Sequence, residues 1–238
     1  LSLLKESRHP IRIDLIGVAG SGMSGLASLL QALGHTVPGT APVPPLETDR
    51  LEKMGLQFFS PHSEKEVEDC DMVIYSSATK PGNVAYEAAY KQGIPLVRRA
   101  EALAAVMANK KEVVVGGTHG KTTTSALTAH VLRQGGLKPS HYVGAEIPIL
   151  GANAHWDGEG ELFVAEGDES DGTLVHFHPV HSIILNIEAE HLDFYDGVEA
   201  VKDVCWKLLS QTPGHWVHCA EDPVAREVCA GAQGVSYG

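Results

Sequence analysis

Short apolar runs alternate with stretches of helical period along the whole chain. Ile11 to Ile16 reads as a first strand. Met23, Leu26, Ala27, Leu30 and Leu33 then recur at helical spacing, with Gly34 placed to end the helix. Ala41 to Pro45 is a proline-rich loop, Asp71 to Tyr75 a further strand and Val84 to Gln92 a helix. Near residue 110 the pattern restarts. Glu112 to Val115 is a strand leading into a glycine turn and the helical stretch Ser125 to Gln134. Leu162 to Ala165 and Ser182 to Leu185 are strands that run into polar residues. Val201, Val204, Cys205 and Leu208 mark another amphipathic helix, and Gly234 to Gly238 reads as a strand beginning. This alternation predicts an α/β fold with a largely parallel sheet, divided into domains at 1–107 and 108–238.

Composition narrows the class. The 238 residues carry 18 Lys plus Arg against 30 Asp plus Glu, a net charge of −12. An acidic surface argues against nucleic-acid or anionic-membrane partners, while leaving room for a local phosphate pocket. Cys70, Cys205, Cys219 and Cys229 form no C-x-x-C pair and read as reduced thiols of a cytoplasmic protein. No apolar run reaches the length of a membrane span.

The most informative segment is Gly117-Thr118-His119-Gly120-Lys121-Thr122-Thr123-Thr124, set between a β-branched strand and a helix. Such a loop lets backbone N–H groups approach phosphate oxygens at a helix N-terminus. Lys121 then reaches the β- and γ-phosphates, and the Thr122 hydroxyl faces Mg²⁺. Val115 stands where the strict P-loop pattern has glycine, so the loop is a variant. A plain glycine turn with an exposed lysine is the alternative, disfavoured by the flanking strand and helix.

Mg²⁺ binds oxygen ligands, usually one or two carboxylates with phosphate and water. Glu166 stands where a strand ends, and Asp168, Glu169 and Asp171 follow it. Beside a phosphate loop, a metal role for this cluster outweighs a merely solvated acidic loop. Asn186 to Asp193 closes the next strand, and His191 there is a candidate ligand through neutral imidazole.

A second glycine loop, Gly17-Val18-Ala19-Gly20-Ser21-Gly22, lies between the first strand and first helix and suits a diphosphate. Its spacing is not G-x-G-x-x-G, and no acid follows the second strand before Glu47. A nicotinamide dinucleotide therefore fits poorly.

Together these segments resemble the Mur ligase family, collinearly over nearly the whole chain. Gly17 to Gly25 resembles the family's UDP-binding loop, and Ser76-Ser77-Ala78 and Arg98-Arg99-Ala100-Glu101 its two other N-terminal signatures. Gly117 to Thr124 resembles its ATP loop, Glu166 to Asp171 its E-A-D-E-S-D, and Asn186 to Asp193 its N-I-E-A-D-H-x-D. Asp222-Pro223 and Ser236-Tyr237-Gly238 also find counterparts. Ser170 stands where the family's murein-peptide-recycling relative usually carries tyrosine, which points to a member that adds L-alanine. The chain departs from the family at Ala19, Ala41, Gly167 and Glu190, where glycine, aspartate, alanine and aspartate are usual.

The resemblance implies a Rossmann-like UDP-sugar-binding domain at 1–107 and a P-loop-type ATP-binding domain at 108–238. The family's C-terminal domain, which presents the amino acid, would lie outside the chain. Leu1 in place of Met and the strand-like ending are read the same way, as truncation. The chain alone is then expected to bind nucleotide weakly without completing ligation. The implied reaction is an ATP- and Mg²⁺-dependent ligation in peptidoglycan precursor synthesis, with UDP-N-acetylmuramate and L-alanine as substrates. The lactyl carboxylate becomes an acyl phosphate, which the amine displaces. By resemblance, Gly117, Thr118, His119, Gly120, Lys121, Thr122 and Thr123 bind ATP. Lys121, Glu166, Asn186 and His191 serve the chemistry, and Thr122, Glu166 and His191 the metal. Gly17, Gly20, Ser21, Gly22, Met23 and Ser24 hold the UDP-sugar, joined by Ser76, Ser77, Arg98, His62, His119 and Glu188. On the residues alone, a peptide-recycling ligase and a non-catalytic UDP-sugar-binding module stay open as alternatives.

Overall fold

Two parallel sheets, each built around one apolar strand, account for the chain. The computed structural model describes residues 4, 9–41, 52–53, 55–168, 173–188, 197–230 and 234–238. Two units result: Leu1–Asn109 with Ala154–Trp156, and Lys110–Asn153 with Asp157–Gly238.

In the first unit, β1 (Ile13–Ile16) is wholly buried and leads through the glycine loop into α1 (Ser21–Ala32). The strands β2 (Pro38–Thr40), β3 (Gln57–Phe59), β4 (Met72–Tyr75) and β5 (Leu96–Arg98) complete the sheet. Their order is β3-β2-β1-β4-β5, and all four pairings are parallel. Chain order reverses at β1, so the β1–α1 loop opens at the crevice where open α/β sheets take ligands. α2 (Val84–Gln92) covers one face, packing Ala85, Ala88 and Ala89 against Ile16, Val67 and Val73. Its bounds are punctuated: Asn83 Oδ1 accepts from Tyr86 N, and Gly93 takes the left-handed conformation after the last turn. α3 (Arg99–Met107) follows β5 directly. α1 buries Leu29, Ser24 and Gly25 beside the predicted Met23, Leu26, Ala27 and Leu30, so its apolar face is broader than the sequence reading gave.

In the second unit, β6 (Lys111–Gly116) is buried after its first residue. α4 (Lys121–Gln134), β7 (Ser140–Tyr142), β9 (Leu162–Glu166) and β10 (His181–Ile184) follow, while β8 (Ala154–His155), between β7 and β9 in chain order, is grouped with the first unit. α5 (Val198–Ser210), β11 (Trp216–Cys219), α6 (Pro223–Val228) and β12 (Gly234–Tyr237) end the chain. The six strands that belong to this unit run in the order β12-β11-β10-β6-β9-β7. β6 lies parallel between β9 and β10, with Val115 opposite Glu166 and Gly116 opposite Ile184. This register brings three strand ends together: the glycine loop after β6, Glu166 on β9 and the segment after β10. α4 packs Ala126 and Ala129 against Val113, Val143 and Val164.

Several boundaries differ from the sequence reading. α4 begins at Lys121 rather than Ser125, because Gly120 ends the loop and a polar Thr122–Thr124 turn is already helical. β1 begins at Ile13; the Arg12 amide is taken by the Asp71 carboxylate at 2.8 Å. The loop at 42–45, Glu169, Ser170, Asp171, Glu190, His191 and Asp193 lie outside the described residues. Among the described residues, no helix is long and apolar enough to cross a membrane.

Candidate functional site

The glycine loop of the second unit is built from backbone demands. Gly117 has φ +133°, and a Cβ there would lie 3.0 Å from Asn186 O. Gly120 has φ +82° and is the N-cap of α4. Neither position suits a side chain. α4 has no side-chain cap and no acidic residue in its first turn, which leaves its N–H groups and positive dipole end available to an anion. Lys121 Nζ donates to Gly117 O at 2.8 Å and Thr118 O at 3.0 Å, folding the ammonium back over the loop.

Two neighbouring strand ends complete the arrangement. From β9, the Glu166 carboxylate accepts the Thr122 hydroxyl, which lies 2.9 Å from both oxygens. It also accepts Gly144 N at 2.6 Å. From beyond β10, Asn186 holds the loop: its carbonyl accepts Thr118 N at 3.0 Å, and its side chain meets both N and O of His119. The Thr118 hydroxyl accepts Glu188 N at 2.8 Å. His119 Nε2 lies 3.8 Å from Glu188 Oε2, a solvent-exposed pair of little energetic weight. Gly117 to Thr122, Glu166, Asn186 and Glu188 are thus one constellation. Thr123 is exposed on the first turn of α4, and His191 lies outside the described residues.

Gly144 is the residue that sequence reasoning missed. It follows β7, and only the β7–β9 pairing brings it to Glu166. The departure at Gly167 also finds its explanation. A Cβ there would meet Leu174 Cδ2 at 2.4 Å and Val114 Cγ1 at 2.9 Å, so Leu174 fills the space that a methyl side chain would need.

In the first unit, Gly17 and Val18 donate to Thr40 O at 2.8 and 3.1 Å. Gly20 caps α1 without a side-chain bond or a first-turn acid, so Ser21 and Gly22 begin a second helix whose dipole end favours an anion. Ser76 Oγ lies 4.0 Å from the Cβ position of Gly17, at the same sheet edge. Ser77 is exposed. Arg98, also exposed, is tied to the Tyr75 side chain, the leading cause of its raised pKa, while its amide donates to Glu101 at 3.1 Å. Met23 and Ser24 are buried, and the Ser24 hydroxyl donates to Ser21 O at 3.1 Å. His62 is half-buried, burial lowers its pKa, and its Nδ1 has no hydrogen-bond partner among the described residues.

A lysine-bearing glycine loop facing a hydroxyl–carboxylate pair, in a parallel α/β unit, defines a P-loop-type nucleotide-phosphate fold. Comparison with known proteins gives the family. The chain belongs to the Mur ligase family: residues 12–111 match the model "Mur ligase family, catalytic domain" and residues 115–237 "Mur ligase middle domain". It is 40% identical over 230 residues to the UDP-N-acetylmuramate–L-alanine ligase of Pelotomaculum thermopropionicum, covering 96% of this chain and 49% of that protein. It is 41% identical over 220 residues to the ligase of the same name from Methylococcus capsulatus, covering 91% and 46%. The chain thus spans about half the length of the curated relatives it matches. Among solved structures, the UDP-N-acetylmuramate–alanine ligase of Thermotoga maritima matches with a TM-score of 0.84 and 30% identity, over 94% of this chain and 53% of that one.

Proposed function

We propose that the whole protein is an ATP-dependent ligase joining L-alanine to the lactyl carboxylate of UDP-N-acetylmuramate through an acyl phosphate, in peptidoglycan precursor synthesis. The observation that carries this reading is the Thr122–Glu166 pair set against the Lys121 loop, in a chain so similar to ligases of that name. Residues 108–238 take ATP, and residues 1–107 take the UDP-sugar at the N-terminus of α1, with Ser76, Ser77 and Arg98 at the same edge.

The chemistry brings a carboxylate to a polyphosphate, so negative charge must be neutralised where it gathers. Lys121 supplies an ammonium that can leave the Gly117 and Thr118 carbonyls for phosphate oxygens. The open N-terminus of α4 supplies aligned N–H donors. Asn186 holds Thr118 and His119 so that these donors keep their direction. A hydroxyl beside a carboxylate is the hard-oxygen donor set that Mg²⁺ uses alongside phosphates, and Thr122 and Glu166 would hold it. When bound, that cation neutralises charge on the transferring phosphoryl group. His191 is assigned to a second cation on the family motif.

The test is ADP release by the whole protein with ATP, Mg²⁺ and UDP-N-acetylmuramate, offering L-alanine, glycine, L-serine or a tripeptide as the amine. Release that requires both the nucleotide sugar and L-alanine supports the assignment. Release with the tripeptide instead moves it to a peptide-adding ligase, and none with any amine overturns it.

A further inference from the structure

The Glu166 carboxylate is gripped from two sides, and one of them is main chain. Thr122 approaches from α4. Gly144 approaches from the turn after β7, its N–H 2.6 Å from Oε2. That turn is anchored just before the contact: Val143 is buried, and its amide donates to Asn153 O at 2.8 Å. Gly144 is itself exposed and is not among the positive-φ glycines, so neither core packing nor backbone conformation demands glycine there. What demands it is Glu166. A Cβ on residue 144 would sit 2.8 Å from Oε2, 3.1 Å from Oε1 and 3.2 Å from Cδ.

We propose that Gly144 is a positioning residue for the metal-binding carboxylate: its N–H fixes Glu166, and its missing side chain leaves the carboxylate the room to lie against Thr122. This rests on the assignment of Glu166 to Mg²⁺ made above. With Oε2 accepting from both Gly144 and Thr122, Oε1 is the oxygen with more capacity left for a cation. Groups that orient a metal ligand through hydrogen bonds commonly govern metal affinity by 10–100-fold. The atoms a methyl at 144 would strike are the end of a flexible side chain, so Gly144→Ala moves the carboxylate while sparing the fold.

The experiment titrates the 238-residue chain and its Gly144→Ala variant with a non-hydrolysable ATP analogue, once in Mg²⁺ and once in EDTA, with thermal melts as the check on folding. Wild-type and variant chains should bind alike in EDTA, and the variant about 10-fold or more weaker in Mg²⁺. Equal affinity in Mg²⁺ overturns the inference, as does equal weakening in both media, which would mean a general structural role. Should the wild-type chain bind the analogue no better in Mg²⁺ than in EDTA, the assignment of Glu166 to the metal falls first. If the variant melts early, the Gly144 amide resonance of the wild-type chain is read against Glu166→Gln. A displaced resonance supports the contact, and an unmoved one refutes it.

Discussion

Asn186 clamps His119 by both ends of its peptide: Oδ1 accepts His119 N at 2.7 Å, and Nδ2 donates to His119 O at 3.1 Å, across 67 residues of sequence. A backbone segment that must present N–H groups to phosphate cannot also satisfy itself, and this amide supplies the missing partners. Asn186→Ala removes both bonds. At about 1 kcal/mol each, the unfolding free energy should fall by about 2 kcal/mol. Nucleotide affinity should fall with it, since the loop loses its fixed shape. Urea unfolding followed by nucleotide titration checks both, and an unchanged unfolding midpoint would refute the clamp.

Lys121→Ala should leave the far-UV spectrum unaltered and remove ATP-dependent ligation by the whole protein. The ammonium donates to the carbonyls of Gly117 and Thr118 in the loop itself, so its loss is felt at the phosphates more than in the core. Lys121→Arg should restore little, because a planar guanidinium does not replace a compact ammonium between two carbonyls. Steady-state ADP release is the measure, and wild-type turnover in either variant would sink the assignment.

Much of this was legible in sequence where local chemistry marks it. α2 was readable to the residue because Asn83 and Gly93 punctuate it. The Lys121 loop was readable because a strand, a glycine turn and a helix follow in register. The three-residue strands β3, β5 and β7 were not, since so short a run shows no period and is held by its neighbours' hydrogen bonds. Gly144 carried no local signal at all. Its contact with Glu166 exists because β7 lies beside β9, a fact of sheet order rather than of any segment.

Gly167 and Leu174 share one volume, which makes the departure from the family testable. Gly167→Ala alone should cost about 1–3 kcal/mol, because the new methyl meets Leu174 and Val114 in a packed core. Leu174→Ala alone should cost about 2–5 kcal/mol through the cavity it opens. Combined, the two should cost clearly less than their sum, because each relieves the other. Chemical denaturation of the three variants gives the coupling, and strict additivity would show that the residues do not compete for space.

Asp14 gives the first unit a pH signature. It is wholly buried on β1, and among the described residues no donor meets either carboxylate oxygen in ordinary hydrogen-bond geometry. Burial, reinforced by the nearby Glu66 carboxylate and opposed by Arg12, pushes its pKa to about 7; the Leu15 amide has the least influence. Below the unfolded value near 3.8 both states hold the proton and Asp14 contributes nothing to pH dependence. Between there and about 7 the unfolded chain releases the proton while the folded chain keeps it, so stability declines as pH rises. Above about 7 the loss is complete and constant. Asp14→Asn removes this dependence, so its stability relative to wild type should climb from pH 4 to pH 8 by up to about 4 kcal/mol. The Cys70 thiol, raised by burial and then by the Asp14 charge, should fall in pKa in the same variant and alkylate faster. Parallel stability curves for the two chains would show that Asp14 ionises in the folded unit as readily as in the unfolded one.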